Sequence, residues 1–156
     1  MQRAIEIAER GRGKVQPNPL VGCVLVRDGK IIAEGWHGNI GGFHAEQAAI
    51  ADAEERGITT TGSTAYVTLE PCNHHGRTPP CTEALLWAGV ERVIVGALDP
   101  NPTVRGGGLS ALRDVGVSVK NGILEKECKH QMREFIHWCE HRLSLIHISE
   151  PTRRAL

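Results

Sequence analysis

Two short apolar runs separated by Asp28-Gly29 set the first constraint on what this chain can fold into. Gly22-Cys23-Val24-Leu25-Val26-Arg27 reads as a buried strand. Lys30–Gly35 returns as its partner, because Asp-Gly suits the tight turn of a hairpin. Beyond the hairpin the pattern changes. His44–Glu55 reads as a helix, with Ala45, Ala48, Ala49, Ala51 and Ala53 supplying propensity. Ala65–Leu69 is a strand, and Cys81–Ala88 a helix with Pro80 in its tolerated first turn. Arg92–Ala97 is a strand, Leu109–Asp114 a short helix, Val117–Val119 a last strand and Leu124–Arg142 a closing helix. Ahead of the hairpin, Met1–Arg10 carries Ala4, Ile5 and Ala8 on one helical face, and Pro17-Asn18-Pro19 forces an extended or turned segment.

A hairpin followed by strands alternating with helices predicts an α/β layer fold whose later strands run parallel. Ligands of such sheets gather beyond the carboxyl ends of the strands. Glu70–Pro79 and Asp99–Pro102 follow strand ends, and the His44 loop lies beyond the hairpin. These polar loops are candidates for one site.

The chain has 156 residues, enough for one domain with a buried core. Its 18 Lys+Arg balance 18 Asp+Glu, and it has only six aromatic residues, which argues against gripping a nucleic acid. No apolar run reaches the roughly 18 residues of a membrane span, and the first residues lack a signal-peptide core, so no membrane and a cytoplasmic location are expected. Five cysteines without an export signal then point to metal or core roles rather than disulfides. Residues 143–156 show no partner logic with the preceding helix and resemble translated sequencing-adaptor sequence. They are set aside as a non-native or truncated tail, leaving 1–142 as the domain.

His44-Ala45-Glu46 opens a helix, and Cys72 and Cys81 flank the loop after the next strand. One imidazole and two thiolates match a catalytic zinc site that keeps a fourth position for water. Zinc lowers the pKa of such a water to about 7. Glu46, two residues past His44, can reach that water and pass its proton to a leaving amine. Histidine, carboxylate and two cysteines in this order match the zinc nucleobase deaminases. Two blander readings stand beside it. Cys72, His74, His75 and Cys81 could form a closed structural knuckle, although the gap between the cysteines is long for one. The two thiols could also be core residues, although the loop between them is too polar for that.

The resemblance extends to a family. Residues 2 to about 142 resemble the deaminase domain of the riboflavin-biosynthesis diaminohydroxyphosphoribosylaminopyrimidine deaminases. The likeness rests on Pro17-Asn18-Pro19-Leu20-Val21-Gly22, His44-Ala45-Glu46 and Thr68-Leu69-Glu70-Pro71-Cys72, with His74-His75-Gly76-Arg77-Thr78-Pro79-Pro80-Cys81 and Asp99-Pro100-Asn101-Pro102. The long spacer between the cysteines separates this group from the cytidine, tRNA-adenosine and DNA deaminases. The resemblance implies a three-layer α/β/α cytidine-deaminase-like fold with a mixed five-stranded sheet. It implies one zinc per chain on His44, Cys72 and Cys81, with Glu46 as proton shuttle. The implied reaction converts 2,5-diamino-6-(5-phosphoribosylamino)pyrimidin-4-one and water to 5-amino-6-(5-phosphoribosylamino)uracil and ammonia.

Asn18, His37, His74, Arg77, Asp99 and Asn101 fall on positions that the family uses to hold substrate. Each also has a structural reading. Asn18 could satisfy turn backbone, Asp99 and Asn101 are ordinary turn residues, and His37 could merely finish a strand. Arg77 is more telling, because a basic residue beside a zinc loop has little structural purpose; it suits the phosphate. Cys23 reads as core packing, and Cys128 and Cys139 as residues of the last helix without a ligating role.

Many members of the family carry a nicotinamide-dependent reductase domain after the deaminase. No Gly-x-Gly-x-x-Gly fingerprint occurs here, so a reductase domain is expected to be absent from this chain. The chain then reads as a stand-alone deaminase or a fragment of a bifunctional protein, and its tail favours the fragment. A homo-oligomer is left open. The rival functions are deamination of another base, such as guanine or cytosine, and a catalytically silent zinc scaffold. Glu46 separates the last from the rest, since a structural site needs no proton shuttle.

Overall fold

The structure is a computed structural model and describes residues 1–74 and 78–142. The tail 143–156 and the Arg77 assignment lie outside the described residues.

Asp28 and Gly29 both adopt positive φ, 53° and 74°, which matches the twist of the flanking strands and closes the hairpin with Arg27 opposite Lys30. The arms are β1 (Gly22–Arg27) and β2 (Lys30–Trp36). With β3 (Thr64–Leu69), β4 (Arg92–Ala97) and β5 (Ser118–Lys120) they form one five-stranded sheet in the order β2-β1-β3-β4-β5. β1 is antiparallel to both β2 and β3, whereas β3, β4 and β5 run parallel. The mixed sheet with its N-terminal hairpin is the expected one.

Helices cover both faces. On one side α1 (Gln2–Ala8) seats Ala4 and Ile7 on Val24, and α5 (Glu125–Gln131) packs on β4. On the other, α2 (Ala45–Glu55) lies on β1 and β2, followed by α3 (Cys81–Trp87) and α4 (Gly107–Asp114). The larger core on that side includes Cys23, Leu25, Ala33, Val67, Leu85, Val93 and Val95. Burying Cys23 there is the packing role its strand position implies.

The alanines of α2 do more than favour a helix. Ala45, Ala49 and Ala53 recur every fourth residue and are buried as a flat stripe against the sheet. The helix lies so close that a Cβ on Gly35 would meet Ala49 N at 2.2 Å and Ala45 O at 2.5 Å. This contact fixes the start of α2 relative to the rim of the sheet, and that start carries His44 and Glu46.

Several element ends shift by a residue or two from the sequence reading, and two of the differences have a structural cause. The short helix begins at Gly107, before Leu109, because its first amides are capped by a residue distant in sequence, Glu70. The closing helix is interrupted at Met132, where Gln131 and Met132 both turn inward, and resumes as α6 over 133–142.

Gly35→Ala should force α2 off the sheet and destabilise the fold by roughly 1–3 kcal/mol, the usual cost of overpacking. Chemical unfolding beside an exposed control, Lys30→Ala, checks this; equal midpoints for the two variants would show that the contact is slack.

Candidate functional site

The parallel strands end at Leu69 and Ala97, opposite one another, and the neighbouring hairpin brings Gly22 and Trp36 to the same rim. Three loops meet there. His44 is the N-cap of α2, its N–H donated to Gln47 Oε1 at 3.1 Å, while Gln47 Nε2 reaches Thr78 Oγ1 and the Pro79 carbonyl. This one side chain ties the His44 turn to the Cys72–Cys81 loop.

His44 Nδ1 lies 3.8 Å from Cys72 Sγ and 3.4 Å from Cys81 Sγ, and the three donor atoms lie within 4.8 Å of one another. Tetrahedral zinc with ordinary bond lengths would hold a nitrogen and a sulfur about 3.6 Å apart. The two observed separations bracket that value, and all of the cysteines are free. The donor set therefore fits zinc. The Cys81 N–H, at the start of α3, donates to Cys72 Sγ at 3.3 Å. Hydrogen bonds from Cys81 and His44 lower Cys72 to about 4, while Cys72 and burial raise Cys81. A ready thiolate at the mouth of the trio suits metal capture.

Glu46 is 3% exposed on the first turn of α2. Burial pushes its carboxyl up to about 7, opposed by its own backbone N–H and reinforced by Cys72. A carboxyl poised near neutrality can both accept and return a proton.

A cavity of about 280 Å³ opens over these groups, walled by His44, Glu46 and Cys72 together with Asn18, His37, His74 and Asp99. His37, 5% exposed, has its ring edge-on to His44 with centroids 5.7 Å apart. Its Nδ1 donates to the Phe43 carbonyl at 3.0 Å, which leaves Nε2 to accept from Asn18 Nδ2 at 3.2 Å. Asn18 is thus oriented with its amide oxygen uncommitted by this bond. Asp99 Oδ1 accepts the Asn101 N–H at 2.9 Å, and burial, then Glu70, raises the Asp99 carboxyl. Asn101 does not line the cavity; its Oδ1 accepts the Thr103 N–H within the turn. Cys81 is buried and does not line the cavity.

Two residues escaped the sequence reading. Glu70, 6% exposed, accepts four backbone N–H groups, from Asp99, Gly106, Gly108 and Leu109, at 2.9–3.2 Å. It locks the Asp99 turn to the end of β3. The signal available was an acidic residue directly after an apolar strand. Phe135 of α6 also lines the cavity, and nothing local in its sequence marks it.

Residues 1–97 match the cytidine and deoxycytidylate deaminase zinc-binding region. The riboflavin biosynthesis protein RibD of Actinobacillus pleuropneumoniae is 50% identical over 140 residues, 90% of this chain and 36% of that protein. The diaminohydroxyphosphoribosylamino-pyrimidine deaminase of Buchnera aphidicola (subspecies Schizaphis graminum) is 48% identical over 135 residues, 86% of this chain and 90% of that protein. The solved diaminohydroxyphosphoribosylaminopyrimidine deaminase/5-amino-6-(5-phosphoribosylamino)uracil reductase of Thermotoga maritima superposes with TM-score 0.87 at 48% identity, covering 91% of this chain and 40% of that one. The chain thus spans about a third of the RibD relative, and most of the Buchnera one.

Purified protein should hold about one zinc per chain, and Cys81→Ser should lose metal and thermal stability together. Metal analysis checks this; full occupancy in both Cys81→Ser and His44→Ala would remove these residues as ligands. The raised Glu46 carboxyl predicts a pH dependence in metal-free protein. Its folded pKa, about 7, exceeds its ordinary 4.5, so stability should fall as pH rises between those values and then level off. Glu46→Gln should remove that fall, and so gain up to about 3 kcal/mol on the wild type between pH 5 and pH 8. Urea unfolding of chelator-treated proteins measures the gain, and a pH-independent difference would count against the buried carboxyl.

Proposed function

Because the chain belongs to the cytidine and deoxycytidylate deaminase zinc-binding family, and within it to the riboflavin-biosynthesis deaminases, we propose that it deaminates 2,5-diamino-6-(5-phosphoribosylamino)pyrimidin-4-one. The products are 5-amino-6-(5-phosphoribosylamino)uracil and ammonia. The observation that carries this reading is a buried carboxyl, Glu46, opening into the same cavity as His44 and Cys72. A structural zinc knuckle has no use for it.

Zinc on His44, Cys72 and Cys81 supplies Lewis-acid activation of water at neutral pH. Glu46 takes the proton that the attacking water gives up as its oxygen bonds to the ring carbon bearing the 2-amino group. The same carboxyl then returns the proton to the amino nitrogen as the carbon–nitrogen bond breaks, and ammonia departs. Burial raises Glu46 and strengthens it as a base, while an ion held beside it would draw it back towards the carboxylate, the form that accepts the first proton.

The remaining groups orient the ring. Asn18, held by His37, offers an amide oxygen to a ring N–H or amino group. Asp99 and His74 line the wall beyond Cys72 and suit the sugar hydroxyls, with the turn at Asn101 holding Asp99 in place. Arg77 takes the phosphate through charge-assisted hydrogen bonds. The reading places the enzyme in the cytoplasm, where reducing conditions keep Cys72 and Cys81 as thiols. Among the described residues no helix is long and apolar enough to cross a membrane.

Glu46→Gln should keep the fold and the zinc while slowing turnover by about 10²–10⁴, towards the upper end because two proton transfers are lost. Substrate affinity should change far less, since Glu46 acts chiefly on the transition state. Single-turnover ammonia release, with metal content on the same samples, tests this. Near-normal release from the variant would assign the proton transfers to another group. No release from zinc-loaded wild type, while guanine or cytosine is deaminated, would move the substrate to another base.

A further inference from the structure

We propose that Phe135 sets the ring specificity of this site: it gives one flat ring an apolar face to stack on, and it shuts off a second cavity that would admit a larger one. The inference rests on the deaminase reading above. Next to the catalytic cavity of about 280 Å³ lies another of about 210 Å³, lined mainly by apolar groups including Val15, Leu20, Met132 and Trp138. The two cavities share Asn18, Pro19 and Phe135 and no other lining residue. These three form the partition.

Two of them are fixed by the backbone and by the site itself. The Asn18 N–H donates to the Val15 carbonyl at 2.8 Å and its side chain is held by His37, while Pro19 has a closed ring. The third part of the wall is the Phe135 ring. It is half-buried and stacks on Trp138 at a centroid distance of 6.2 Å and an interplanar angle of 24°. Trp138 is in turn covered by the Arg142 guanidinium at 4.9 Å. A ring braced this way keeps its face in place without a ligand. The rest of the catalytic wall is polar side chains, small or branched aliphatics such as Val21 and Leu69, and the imidazoles of His37 and His44, whose nitrogens are engaged by Phe43, Asn18 and the thiols; Phe135 is the one hydrocarbon aromatic ring in the lining. An aminopyrimidine needs such a surface, because its edges are satisfied by hydrogen bonds and its faces are not.

The test compares Phe135→Ala, Phe135→Leu and Phe135→Tyr with wild type in the zinc-loaded protein. The readouts are KM and kcat for the phosphoribosyl diaminopyrimidine, melting temperature, and calorimetric binding of guanosine 5′-monophosphate. That nucleotide carries a similar amino-oxo-pyrimidine edge and a ribose phosphate, but with a fused second ring. Losing the stack should raise KM roughly 5- to 150-fold in the Ala and Leu variants, with kcat nearly unchanged and Tyr close to wild type. Only Ala opens the partition, so only Ala should gain affinity for the purine nucleotide. Unchanged KM in both Ala and Leu overturns the stacking role, and purine binding no tighter in Ala than in wild type overturns the partition. If Ala does not fold, purine binding as tight in wild type as in Leu and Tyr, at an affinity matching the pyrimidine, overturns the partition equally. A wild type that releases no ammonia from the pyrimidine fails the deaminase reading instead, and the purine-binding comparison still decides whether Phe135 closes the wall.

Discussion

Four backbone N–H groups converge on the Glu70 carboxylate, and the arrangement of the site depends on that convergence. The residue stands at the end of β3, two positions before Cys72, yet the amides it accepts come from the loop after β4 and the start of α4. A charge-assisted bond of this kind contributes about 1.5–3 kcal/mol, and a buried amide left without a partner costs about as much. One side chain therefore fixes the distance between the metal loop and the Asp99 turn. Gly108 completes the fit: a Cβ there would lie 2.1 Å from the Pro71 carbonyl. The close approach at Gly108 and the one carboxylate spanning the two segments together hold the end of β3 against the start of α4.

That interaction also explains what could and could not be read from the residues alone. The hairpin was legible because Asp28-Gly29 dictates its own geometry within four residues. The parallel strands were legible from apolar runs bounded by breakers, and the metal trio from residue chemistry and order. Each of these signals is local or chemically specific. The start of α4 was not legible, because its cap comes from Glu70, far away in sequence, and Gly106-Gly107 offers no local cap. The interruption at Met132 was equally hidden. Propensity runs on through it, and the turn at Met132 coincides with two adjacent inward-facing residues, Gln131 and Met132. Among the polar residues near the site, sequence could not separate Asp99, which walls the cavity, from Asn101, which spends its oxygen on the Thr103 amide. Both are turn residues of the same chemistry, and the difference is one of orientation.

The same logic separates the two histidines of the rim. His37 and His44 face each other edge-on, but their surroundings assign them different work. His37 has both ring nitrogens occupied, one by the Phe43 carbonyl and one by Asn18, so it orients a neighbour rather than binding metal. His44 points Nδ1 at two sulfurs and has no carbonyl competing for it among its described hydrogen bonds.

Burying Glu46 and the Cys81 thiol beside one imidazole, with Cys72 half-buried, is unfavourable without a cation. The carboxyl is driven towards its protonated form, and burial and the neighbouring Cys72 raise the Cys81 thiol. A divalent ion reverses each of these tensions at once, since it favours the thiolates and the carboxylate by direct attraction. Folding of this rim and metal binding are therefore linked, because an ion would favour the ionised forms of side chains that burial disfavours.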